Sequence, residues 1–387
     1  MMKQALSGTD TVWLDNTYQK LCEKLSAQCD RIGDMIPYVP VNGRYPEDKG
    51  KTDVTGWING FWGGMLWQMY HATGEAKYRQ AAEDIEVKLD RAFDVFQGLH
   101  HDVGFMWLPT AVADYRLTGN ERSKTRGLHA ANLLLGRFNH KGGFIRAWDP
   151  HIREGKLEEC TGWIIIDCML NINLLYWASK ETGDPRFADA AITHADTARK
   201  NLVREDGSCN HIAVLDPDNG ALLATPFGQG YASGSSWSRG QSWGLYGFAL
   251  SARHTNDKVY LDTAKKIAHY FLACAGETGY IPLSDFRAPK EPVKFDTTAG
   301  NCAACGLLEL AQQVPELERE LYLRGAVKLL QAIEAKYANW NPDEDGLIGG
   351  GSGSYFGKGD ENTSIIYGDY FFTEAILRLM GKDFLIW

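Results

Sequence analysis

The sequence predicts an all-α protein built as an (α/α)6 barrel, six helical hairpins closed into a toroid with an inner and an outer ring. Three observations predict it. Helical periodicity recurs along the chain with hardly any strand alternation, a seam marked by glycine or asparagine keeps returning, and about six apolar segments stand before more amphipathic ones.

The first seam runs from apolar Phe61 to Tyr70 through Thr73-Gly74 into a helix carrying Tyr78 and Ala82. Thr182-Gly183 leads likewise to Phe187 and Ala191, Thr255-Asn256 to Tyr260 and Ala264, and a later stretch repeats Tyr322 and Ala326 without the glycine. Gly or Asn just past a helix end takes the left-handed conformation that satisfies terminal carbonyls, and an i, i+4 pair puts aromatic and alanine on one face of the next helix. Each unit therefore reads as a helical hairpin. The apolar first helices are expected over 61–70, 108–115, 167–177, 243–252, 298–311 and 370–379, and as helices apolar on most faces they belong inside. An open solenoid of the same hairpins is the alternative to closure.

With 387 residues, 44% hydrophobic and 23% charged, the chain can bury a large core. No Pro/Ser-rich linker, charge block or low-complexity stretch divides it, so one domain is expected over 1–387. A net charge of −9 with scattered Lys and Arg argues against nucleic acid or an acidic membrane surface as partner. No apolar run is long enough to span a bilayer, and the start lacks the apolar core of a secretion signal. A cytoplasmic protein is expected, or a periplasmic one if a signal has been removed. Oligomeric state is not legible. Cys302 and Cys305 form the one CxxC among 8 cysteines, and with no second pair or nearby His they read as buried thiols on a packed helix. The 41 glycines and 12 tryptophans suggest glycine-rich loops around an aromatic-lined cleft.

Two aspartates stand out by their neighbours, Asp102 within His100 to Trp107 and Asp167 within Trp163 to Asn171. An ionised carboxylate in an apolar run is costly, so such a group raises its pKa or finds a strong partner. Asp167 is the candidate proton donor; a helix cap or a paired core carboxylate is the plainer explanation for both. The stretch Gln229 to Gly244 holds Trp237, Arg239 and Trp243 among glycines and serines, and Trp57 and Trp148 add two further aromatics beside glycines. Aromatic faces stack on sugar rings, and Arg offers a planar fork matched to a carboxylate. An acidic sugar would suit this composition, although a loop tying down a helix start would share it. The ten histidines include no HxxxH or HExxH spacing, and no P-loop, dinucleotide fingerprint or GxSxG elbow is present, so neither metal nor organic cofactor is expected.

At these residues the chain resembles the unsaturated glucuronyl hydrolases of glycoside hydrolase family 88. The resemblance rests on Trp57 to Trp67, His100 to Phe105, Ile164 to Cys168, Trp237 to Gly244 and Gly368 to Tyr370, five ordered blocks across nearly the whole chain. It implies the same (α/α)6 barrel and a substrate with a C4=C5 enol ether, an oligosaccharide left by a polysaccharide lyase and ending in an unsaturated uronate. By that resemblance Asp167 is general acid and base, its pKa helped upward by neighbours such as Ile166, and Asp102 is the second essential aspartate. His211, Gln229 and Arg239 would lie near the uronate, and Trp57, Trp148, Trp237 and Trp243 would stack or form walls. The glycine-rich loop from Gly349 aligns poorly with the family; Ser352, Ser354 and Lys358 in it would meet the next sugar and any sulfate there. Glycosaminoglycans, ulvan-like polymers and bacterial gums all stay open as sources. The rivals are an unsaturated rhamnogalacturonyl hydrolase, a sugar epimerase on the same toroid, which needs histidines on inner helices, and a non-catalytic scaffold.

Overall fold

The computed structural model describes residues 2–153, 156–384 and 386–387. Its inner helices are Phe61–Thr73, Val103–Trp107 running on into Ala113–Thr118, Cys168–Asn171 followed by Asn173–Thr182, Ser238–Thr255, Thr297–Gln313 and Ile366–Met380. Each touches the next, and Ile366–Met380 returns to Phe61–Thr73, which closes the ring. The open solenoid is thereby set aside. Outside lie Gly8–Ile32, Ala76–Asp94, Glu121–Leu135, Pro185–Leu202, Lys258–Gly276 and Glu316–Tyr337. The first helix of the chain packs on the last inner helix and completes the sixth hairpin across the ends of the sequence.

Burial explains the two rings. Thr297–Gln313 is buried at every position from Thr297 to Ala311, as a helix surrounded on all sides must be. Ala76–Asp94 buries Tyr78, Ala81, Ala82, Ile85, Glu86, Leu89 and Ala92, a single stripe. The seam behaves as expected: Gly74, Gly183 and Asn256 take φ of 78°, 72° and 57°, and the aromatic and alanine that follow each are buried. Gly119, at φ 76°, marks a further seam between Ala113–Thr118 and Glu121–Leu135.

Two expected inner helices differ in detail. The helix expected over 108–115 begins earlier, at Val103, and passes through a π-helical turn over Leu108–Val112, where Pro109 has no N–H to continue the i to i−4 ladder. The one expected from Asp167 is split at Ile172, and Trp163–Ile165 before it is a strand. That strand pairs antiparallel with Ile212–Leu215, which pairs with Leu222–Ala224. Strands this short are too brief to show alternation in a sequence. Cys302 and Cys305 are buried and unbridged. Among the described residues, no helix is long and apolar enough to cross a membrane.

Candidate active site

All inner helices start at one end of the barrel, so their unpaired amides and positive dipole ends converge on its mouth. Asp102 and Asp167 immediately precede two of these starts, yet neither carboxylate caps its helix. The capping explanation therefore fails for both.

Asp167 is placed by strand pairing. Ile165 lies opposite Ile212, and the next amide, Ile166 N–H, donates to His211 O at 3.0 Å, which carries the His211 ring alongside Asp167. His211 Nε2 lies 3.4 Å from Asp167 Oδ2; the two buried atoms are not aligned as a hydrogen bond and have no other partner among the described residues. The Nδ1 of His211 accepts the Gln229 N–H at 3.0 Å, so in the neutral ring the proton sits on Nε2 and faces the carboxylate. Ile166 itself packs toward Gly240 and Gly244 on Ser238–Thr255.

Asp102 is the more deeply buried of the two. Its Oδ1 accepts Asn171 Nδ2–H at 2.8 Å, and its Oδ2 lies 3.4 Å from both His100 Nδ1 and His101 Nε2. Burial, then the charge of Asp167, pushes the Asp102 carboxyl well above the aspartate range, and the Asn171 hydrogen bond and the charge of Arg137 oppose the rise only in part. Burial likewise pushes His101 well below the histidine range and His100 down to about 4, so both rings are neutral and lend Asp102 no cation. The strongly raised carboxyl is thus Asp102.

Among the described residues His100, His101 and Asp102 also form a group whose ligand atoms lie within 4.8 Å of one another. His100 Nδ1 already accepts the Asp102 N–H at 3.4 Å and the Asp102 carboxyl is pushed toward its neutral form, so the group is a hydrogen-bonding cluster that does not fit a divalent cation.

The remaining candidates divide into those that offer a surface and those already engaged. Trp57, stacked on Tyr367 at 5.1 Å, and Trp148, 6.0 Å from Trp163, are half-buried and open to the mouth. Trp237 is buried against His211 at 4.4 Å, and Trp243 is core, packed on Phe105 and Phe371. Arg239 departs most from the open fork expected of it. It is 1% exposed, bound to Asp296 Oδ2 at 2.9 Å and Thr298 Oγ1 at 3.2 Å, and also donates to the carbonyls of Ser352 and Gly353. Gln229 Nε2 donates to the same Gly353 carbonyl at 2.7 Å. Both side chains therefore grip the glycine-rich loop. Ser352 is buried with its hydroxyl on Phe295 O at 3.0 Å, Ser354 is half-buried and Lys358 exposed. Asp369, from the Gly368 to Tyr370 block, holds the amides of Leu347 and Ile348 at 2.9 and 2.8 Å and stands away from the carboxylate pair as a loop anchor.

Asn171 and Asp296 belong to the site and were not singled out from the sequence. Asn171 follows Asp167 by four residues, a spacing that places it one helical turn on, while Asp296 stands at a helix start as an ordinary cap would.

A closed two-ring helical barrel with two uncapped aspartates at a tryptophan-lined mouth defines a glycosidase of the helical-toroid kind, and the chain is an enzyme of that class. The profile of Glycosyl Hydrolase Family 88 matches residues 38–281. The chain is 38% identical over 355 residues to the unsaturated glucuronyl hydrolase of Bacillus sp. (strain GL1), covering 90% of this chain and 92% of that one. It is 34% identical over 384 residues to an unsaturated chondroitin disaccharide hydrolase of Streptococcus agalactiae, covering 97% and 93%. The crystal structure of the Bacillus enzyme superposes with a TM-score of 0.88 at 36% identity over 95% of this chain and 96% of that one. A Streptococcus agalactiae unsaturated glucuronyl hydrolase variant complexed with dGlcA-GalNAc6S superposes at 0.81, with 27% identity over 97% and 93%. The protein belongs to glycosyl hydrolase family 88.

Proposed function

We propose that this enzyme removes a 4,5-unsaturated uronic acid from the non-reducing end of lyase-generated oligosaccharides by adding water across the C4=C5 bond. The observation that carries the reading is the carboxylate pair: Asp167 does not cap a helix, forms no ion pair with Lys or Arg among the described residues, and sits beside a buried acid that favours its neutral form. Neighbouring carboxyl groups of this kind can share a single proton.

The chemistry follows from the enol ether. Asp167 gives its proton to C4, and the cation that forms at C5 is stabilised by the ring oxygen. The carboxylate left behind takes a proton from water as that water adds to C5. The resulting hemiketal opens by cleaving C5–O5, and the hemiacetal at C1 expels the leaving sugar. Asp167 ends protonated, so the sum is substrate plus one water. The Nε2–H of His211 faces the carboxylate formed at mid-cycle. Asp102 shares the pair's proton. Protonating a carbon double bond with a carboxylic acid requires no metal.

Helix starts favour the uronate charge, and Trp57 and Trp148 offer faces to sugar rings. We assign Gln229 and Arg239 to holding the Ser352–Ser354 loop against the sugar, Trp237 and Trp243 to the wall behind it, and Ser354 with Lys358 to the leaving sugar, where a sulfate would sit. An epimerase would need histidines on inner helices at the mouth; His211 precedes a strand, and His71 and His254 lie in the last turns of their helices, away from the mouth. The 8 cysteines, with no disulfide among the described residues, suit a reducing compartment.

Loss of ultraviolet absorbance from unsaturated disaccharides of chondroitin, heparin and ulvan tests the reading. Wild type should consume at least one of them, and Asp167→Asn, folded normally, should lose about 1,000-fold or more in kcat. Turnover retained in the variant would remove Asp167 from the role.

A further inference from the structure

Asn171 is wholly buried and makes three hydrogen bonds, each to a component of the catalytic mouth. Its Oδ1 accepts Phe105 N–H at 2.8 Å, and its Nδ2 donates to Asp102 Oδ1 at 2.8 Å and to Asp167 O at 3.1 Å. The amide cannot be turned round. A backbone N–H only donates and a carbonyl only accepts, so Oδ1 must face Phe105 and Nδ2 must face the aspartates. The contact depends on close approach, because a Cβ at Gly104 would lie 2.6 Å from Asn171 Cα. Asn171 thus joins the two helix starts from which the pair projects.

We propose that Asn171 is a positioning residue for this reaction, one that fixes which oxygen of Asp102 carries a proton and favours transfer of the pair's proton to Asp167. The inference rests on the reading of the pair given above. With Nδ2–H pointing at Oδ1, that oxygen can only accept, so any proton on Asp102 sits on Oδ2, toward the neutral rings of His100 and His101. The same bond stabilises Asp102 as an anion, as the charge of Arg137 also does, while the charge of Arg239 reaches Asp167. An ionised Asp102 is what leaves the shared proton on Asp167, the arrangement that reacts. Removing the bond disfavours this arrangement and at the same time makes the last proton harder to remove from the pair.

Asn171→Ala and Asn171→Ser test this together, with kcat and kcat/KM followed from pH 4 to 9 on whichever unsaturated disaccharide the wild type consumes. A hydrogen bond to a charged group supports an expected kcat loss of about 10- to 100-fold in Asn171→Ala, with the alkaline limb moved up by about one pH unit. Asn171→Ser, which keeps a hydroxyl near Asp102, should lie between the two. A merely structural asparagine would lower the amount of folded enzyme or kcat and leave the limb in place, and that result overturns the inference, as does an unchanged profile. Wild type inert on every unsaturated disaccharide overturns the reading of the pair itself.

Discussion

The two ends of the barrel treat a buried carboxylate in opposite ways. At the end far from the mouth Glu309 is fully buried, and burial alone would raise its pKa, but Arg378 at 2.6 Å and Arg253 at 2.5 Å outweigh that and hold it below the usual glutamate range. At the mouth Asp102 is almost as buried, receives one amide hydrogen bond, faces two neutral histidines and stands near another carboxylate, and it moves the other way. Equal burial with opposite partners yields a fixed anion in one place and a proton reservoir in the other. An acid with no paired cation, reached only by the charge of Arg137, is a cost to folding that catalysis explains.

The largest expected effect breaks the far end. Glu309→Gln removes the anion shared by buried Arg378 and half-buried Arg253 and should cost about 3 kcal/mol in urea unfolding, with kcat per folded molecule unchanged. An equal loss of kcat would mean that the two ends are coupled.

Asp102→Asn should lower kcat by about 100-fold and raise stability at neutral pH. The sign follows from its raised pKa: folded wild type keeps a proton that the unfolded chain releases, so its stability falls as pH climbs from the ordinary aspartate range toward the folded pKa. The asparagine variant lacks that slope. Urea midpoints measured at pH 4 and pH 7 should nearly agree at the lower pH and favour the variant at the higher one.

The smallest effect lies on the exposed loop. Lys358→Ala should raise KM for sulfated disaccharides about fivefold, the value of a solvent-screened charge pair of about 1 kcal/mol, and leave unsulfated ones unchanged. Equal changes on both would take the sulfate away from Lys358.

Much of the barrel was legible because its hairpins repeat a local device. Gly74, Gly183 and Asn256 announce their left-handed caps, and Tyr78 with Ala82 announces the buried face. The sixth hairpin was not, since pairing Gly8–Ile32 with Ile366–Met380 depends on closure, which no local pattern encodes. The two aspartates were legible from their apolar neighbours, which give a carboxylate no ordinary reason to be there. Arg239 shows the limit. Its chemistry fits a uronate, but Asp296 and the Ser352 and Gly353 carbonyls reach it from distant parts of the chain, and only the fold tells that its donors are taken. Trp243 is similar, because an aromatic near a helix start looks alike in sequence whether it faces the cleft or the core.

The most direct test of the central claim, water addition to an enol ether, compares an unsaturated disaccharide with its saturated glucuronide counterpart of the same linkage. Release of the leaving sugar is measured for each with wild-type enzyme. The hydration mechanism predicts release from the unsaturated substrate alone, because the saturated ring offers no double bond for Asp167 to protonate. Comparable release from both would show direct attack at the glycosidic bond and contradict the account.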